Sequence, residues 1–144
     1  MSTKHPTSPH EQTGGIVYFA RMCDKIRLHA RHELPEDCQP NLGKGFDKRC
    51  VDFLHVSYDD VVRLIGEGKS DEEVLRSCQE KGGKLSEEQI EVWNDFMRKR
   101  GWKDEISEIL QRRLKEGGFE NRTDIQTMFD YIDLDEGRDP AKKR

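Results

Sequence analysis

Helix-opening signals recur along this chain at short intervals. Ser57 with Asp60, Ser70 with Glu73, Ser86 with Gln89 and Thr123 with Gln126 each place a hydroxyl three residues before an acid or amide. In that pattern, side chain and backbone satisfy each other's free N–H groups at a helix start. Glycines follow at Gly66, Gly82, Gly101 and Gly117, where a helix ends at little steric cost. Between these marks the apolar residues keep helical spacing, as in Val74, Leu75 and Cys78, in Ile90, Trp93 and Met97, and in Ile125, Met128, Phe129 and Ile132. No stretch alternates with period two over a strand's length, and Pro35 with Pro40 marks 34–41 as a connecting loop. An all-α fold is expected, a single compact bundle of six to seven short helices. Helices this short are unstable alone, so their apolar faces must share one core.

Composition decides whether such a core is attainable. Leu, Ile, Val and Phe make up 31 of 144 residues, about 22%, just above the roughly 20% below which chains seldom fold. A length of 144 residues suits one domain. The polar start, 1–13, and the basic end, 137–144, read as flexible tails around an all-α domain at 14–136. No apolar run reaches membrane-span length, and the first residues lack the apolar stretch of a secretory signal, so a cytoplasmic protein is expected. Cys23, Cys38, Cys50 and Cys78 are then free thiols, chiefly core filler. The net charge of -4 has the wrong sign for general nucleic-acid binding.

The segment 16–31, IVYFARMCDKIRLHAR, carries the most information. Read as a helix, it puts Phe19, Ala20, Cys23, Ile26 and Ala30 on one arc, with Val17 and Leu28 on a second stripe. Arg27 falls inside the arc, and Asp24 and Arg31 fall between the stripes, so charge is placed where packing excludes water and each group needs a partner. Asp24 is within reach of Arg27 at i+3, and Asp47 on the next helix is a second acceptor. The cluster reads either as an ion-pair network fixing helix register or as a seat for an anionic ligand. In the second case Arg21, Lys25, Arg27 or Arg31 holds the anion, and Gly14 and Gly15 let it approach the helix start.

Ser8-Pro9, Gly14-Gly15, Ala20-Arg21-Met22, Asp24-Lys25, Arg27, Asp47, Phe53-Leu54, Ser70-Asp71 and Trp93-Asn94 together resemble a known family. It is the group of small proteins catalogued as domain of unknown function 5069, and the resemblance runs to about Trp102. It implies a small bacterial helical protein and draws attention to Arg21, Asp24, Lys25, Arg27 and Asp47. It brings no activity, substrate or cofactor.

Other constellations give way to simpler readings. Cys23, His29, His32 and Cys38 do not form a zinc site, because Cys23 and His29 point to opposite sides of one helix; neither metal nor cofactor is expected. His55 lies five residues after Cys50, off helical alignment. The acid pairs Asp59-Asp60, Glu72-Glu73 and Glu87-Glu88 sit in first turns, where the helix dipole explains them. Gly43-Lys44-Gly45 lacks the neighbours of a phosphate loop. Helices at 58–65 and 71–78 suggest a helix-turn-helix, but Asp71, Glu72 and Glu73 would meet phosphates with acids. The basic run 98–103 with Trp102 offsets a helix dipole or contacts an acidic partner. With no recognisable catalytic motif, the expectation is a cytoplasmic helical binding or interaction module. The alternative is an enzyme or small-anion binder centred on Gly15, Arg21, Asp24, Lys25, Arg27 and Asp47. The partner is then a protein or a small anionic ligand, with neither membrane nor nucleic acid involved.

Overall fold

The computed structural model describes residues 4–142, and among them the fold is all-α apart from one minimal hairpin. The strands β1 (Gln12–Thr13) and β2 (Ile16–Val17) pair antiparallel. Seven α-helices follow: α1 (Phe19–Ala30), α2 (Phe46–Leu54), α3 (Tyr58–Gly66), α4 (Asp71–Gly82), α5 (Glu87–Lys99), α6 (Ser107–Glu116) and α7 (Met128–Asp135). The proline loop carries a 3-10 turn at Glu36–Asn41, and a second lies at Pro140–Lys142.

Ser57, Ser70 and Ser86 each accept from the backbone N–H three residues on, closing reciprocal capping boxes at α3, α4 and α5. The fourth expected start moves. Thr127, not Thr123, caps α7 by accepting from Asp130 N, because Arg122 folds 121–126 into a turn by pairing with Asp124 and Asp139. Gly82 is required for another reason than ending a helix: a Cβ there would lie 2.0 Å from the Leu54 carbonyl oxygen.

The helix expected at 16–31 begins three residues later than its periodicity suggests. Gly14 and Gly15, both at positive φ (57° and 79°), form the two-residue turn of the β1–β2 hairpin. α5 grips this hairpin: Asn94 accepts from Val17 N (3.0 Å) and donates to Gly15 O (2.8 Å), and Trp93 Nε1 donates to Val17 O (3.1 Å). α1 is enclosed on more than one arc, with Arg21, Met22 and Lys25 buried beside Phe19, Cys23 and Ile26, whereas Ala30 is exposed.

Two clusters make up the interior. The larger joins the hairpin with α1 to α5 and Phe129; the smaller joins Leu110, Leu114, Ile125, Met128 and Leu134 around α6 and α7, and Phe46 packs on both. The packed chain extends beyond the expected 14–136. Pro6, Ser8 and Pro9 are buried, Ser8 Oγ donates to Asp133 (2.9 Å), and Thr7 N donates to Asp24 (2.9 Å). Arg138 pairs with Asp133 and Glu136, and Asp139 with Arg122. Buried polar atoms at each end find partners on the other, so the described parts of both expected tails, 4–13 and 137–142, are built into the fold. Residues 1–3 and 143–144 of those tails lie outside the described residues.

Candidate functional site

The seam between the larger cluster and the α6–α7 pair opens into a cleft of about 640 Å³. Tyr18, Arg21 and Lys25 of the first helix region form part of its lining, Phe46 and Arg49 of α2 another part, and Ile109, Met128 and Ile132 belong to the α6–α7 wall.

Behind this lining lies Asp47, fully buried in the first turn of α2, where the helix dipole favours a carboxylate. Its Oδ1 accepts from Tyr18 Oη (2.5 Å) and Lys25 Nζ (3.0 Å), and its Oδ2 from Lys25 Nζ (3.1 Å) and Gly43 N (3.0 Å). Lys25 also donates toward Tyr18 Oη at 3.4 Å. Burial, reinforced by the Asp47 charge, pushes the Tyr18 phenol well above its ordinary range, so Tyr18 stands as a fixed donor. Tyr18 itself has φ 75° and ψ −31° at the N-cap of α1, a region L residues rarely adopt. It is held there by its backbone bond to Pro9 O (3.0 Å) and by ring contacts with Phe46 and Phe129.

Arg21 is equally committed. It grips Glu136 with two bonds of 2.8 and 2.7 Å and donates to Thr7 O (3.1 Å), and Arg138 meets the same Glu136 from the other side. The cleft floor is therefore charged, buried and internally paired.

Of the six expected site residues, the structure brings Arg21, Lys25 and Asp47 together and disperses the rest. Gly15 sits in the hairpin turn, its carbonyl taken by Asn94, so it opens no helix terminus to an anion. Asp24 accepts from Thr7 N instead of pairing with Arg27. Arg27 reaches Asp71 (2.7 Å) and Lys69 O (3.3 Å) on the far side, and Arg31 meets Glu33 at the surface. A helical wheel could not separate these directions, because every face of α1 meets some part of the chain.

Sequence reasoning missed the cations on α2 and at the end of α5. Arg49 and Arg100 both lie over the Phe96 ring, at 5.0 and 5.4 Å from its centroid, and both line the cleft with Lys44. Among the described residues neither Arg49 nor Lys44 has a carboxylate partner. Arg100 is 3.4 Å from Asp104, whose oxygens already accept from Gly101 N and Ile106 N. The only sequence signal was the basic run containing Arg100, since Arg49 stands in another helix that was read only for Asp47. Among the described residues no group of His, Cys, Asp or Glu is disposed to hold a metal ion, and all four cysteines are free.

Fold and site define a small all-α protein with a polar cleft floored by a buried ion-pair network. The family described as domain of unknown function (DUF5069) matches residues 3–138, so the match runs well past Trp102 into the C-terminal third, and the chain belongs to that family. No protein of curated description matches it.

Proposed function

We propose that this protein binds a small anionic ligand in the cleft between α1, α2 and the α6–α7 pair. The observation that carries the reading is the division of labour among its cations. Arg21 and Lys25 are neutralised by Glu136 and Asp47, and they fix the floor at the cost of their availability. Among the described residues the lining cations Arg49, Lys44 and Arg113 have no carboxylate partner and Arg100 has one at 3.4 Å, so these remain for a ligand. Guanidinium groups are suited to planar, doubly hydrogen-bonded recognition of carboxylate or phosphate. The anion seat thus falls on cations other than the first-helix cluster, and Tyr18 Oη and Lys25 contribute shape and polarity to the floor.

Among the described residues no helix is long and apolar enough to cross a membrane. Four free thiols, three of them buried, support a reducing, cytoplasmic setting.

Calorimetric titration of the full chain with hexanoate and with inorganic phosphate tests the reading. Saturable binding of at least one is expected, weakened about fivefold or more by Arg49→Gln and by Arg100→Gln, as for loss of a charged contact. Arg112→Gln, outside the cleft, should leave it unchanged. Absence of saturable heat with both anions, or binding indifferent to both cleft substitutions, would overturn it.

A further inference from the structure

The cleft is charged oppositely at its two ends, and α7 measures the distance between them. At the start of α7, Met128 N donates to Arg100 O (2.8 Å), so Arg100 and its neighbour Arg49 stand at that end. At the finish stands Asp135, opposite Asp37 of the 3-10 turn, and both line the cleft. The helix has eight residues, which at about 1.5 Å per residue separates the two ends by about 10 Å. The wall between them is apolar, with Ile106, Ile109 and Ile132.

Neither the Asp37 nor the Asp135 carboxylate makes a hydrogen bond or salt bridge among the described residues. Burial and the charges of Asp37 and Glu136 push the Asp135 carboxyl upward, against a smaller opposing effect of His5 and Arg113. Carboxylates outnumber cations at this end, Asp37, Asp135 and Glu116 against Arg113, as cations outnumber carboxylates at the other.

We infer that the ligand is a zwitterion with an apolar spacer, its anionic group on Arg49 and Arg100 and its ammonium group between Asp37 and Asp135. The chemical class is that of ω-amino carboxylates, or the corresponding phosphates, long enough to lie along α7. This inference rests on the reading of the cleft as an anion site and adds the cationic end and the spacer.

The test compares γ-aminobutanoate, ε-aminohexanoate and ω-aminooctanoate with butanoate, hexanoate and octanoate by calorimetry on the full chain. The two longer amino acids should bind about fivefold tighter than the plain acids of equal length, an increment typical of a partly exposed ion pair. The shortest should gain nothing, because it cannot span both ends. In Asp135→Asn and in Asp37→Asn, the ratio of amino acid to plain acid should fall toward one. Equal affinities in the native protein, or a ratio unmoved by both substitutions, would overturn the zwitterion and leave the anion site standing. Failure of every acid, amino or plain, and of inorganic phosphate to bind would overturn both.

Discussion

Tyr18, Lys25 and Asp47 form the most constrained group in the molecule, and their energetics are lopsided. A buried ion pair contributes little net stability over an apolar replacement of the same shape, but removing one partner strands the other charge away from water. Lys25→Met is therefore expected to destabilise by about 3 to 5 kcal/mol in urea unfolding, and Asp47→Asn by a similar amount. Tyr18→Phe, which deletes one donor and leaves the pair intact, should cost about 1.5 to 3 kcal/mol. A loss below about 1 kcal/mol for Lys25→Met would mean that the amine is solvated and the floor is not dry. The thiols offer an independent check on the cleft. Cys23, Cys50 and Cys78 are buried, and burial raises all three, Cys78 to about 11. Cys38 is half-buried in the cleft lining, with a smaller upward push from burial and Asp37. Native labelling with a thiol reagent should modify Cys38 first and the other three only on unfolding; equal rates for all four would contradict the packing. At this scale the sequence announced that charge on the first helix needs partners and named Asp47 among them. It did not reveal that Lys25 is the donor, or that Arg27 turns away toward Asp71, because those choices depend on where α2 and α4 dock.

Element boundaries were legible wherever a capping box marks them. Ser57, Ser70 and Ser86 cap as the spacing demands, since the box satisfies N–H groups locally and needs no tertiary help. Ser70→Ala and Ser86→Ala should each cost about 1 kcal/mol. The hairpin before α1 was hidden because two-residue strands carry no periodic signal, although Gly14-Gly15 between Thr13 and Ile16 is the dipeptide a tight turn requires. The start of α7 was missed because Thr123 and Thr127 both offer a capping hydroxyl, and the Arg122 ion pairs decide between them. Two glycines at helix ends make a contrasting pair. Gly66→Ala meets nothing within 4 Å and should be neutral or stabilising by about 0.5 kcal/mol. Gly82→Ala would drive a methyl to 2.0 Å from the Leu54 carbonyl, forcing α2 and α4 apart, and should destabilise strongly. Thermal unfolding of the two variants side by side separates these outcomes; equal midpoints would show that the α2–α4 approach is looser than described.

Across the whole molecule, the chain ends are joined by charge. Arg21, Glu136, Arg138, Asp133 and Ser8 run as one connected series from the N-terminal segment through α1 and α7 to the C-terminal segment. Composition made both ends look like tails, because polar residues with unseen partners are indistinguishable from polar residues facing water. Arg122 adds a pH-dependent tie. It holds the Asp139 carboxyl at about 2, below the ordinary value near 3.9. A carboxyl depressed in the folded state contributes stability that is complete above its unfolded pKa and is lost as pH falls through the folded one. Acid unfolding between about pH 4 and pH 2 should therefore begin at higher pH in Arg122→Gln than in the native protein; coincident acid transitions would show that this tie contributes nothing.

The cleft, rather than any single motif, unites these scales: a paired floor from the first helix, cations from α2 and the end of α5 with a loose carboxylate partner or none among the described residues, and an apolar wall from α6 and α7. Titrating isotope-labelled protein with hexanoate and with inorganic phosphate and following backbone amide shifts tests that assembly most directly. The expected result is saturable movement concentrated at Phe46, Arg49, Arg100 and Met128, with the outer face of α4 unmoved. Shifts that fail to saturate with either anion, or that cluster away from the cleft, would contradict the assignment of this cleft as the seat of an anionic ligand.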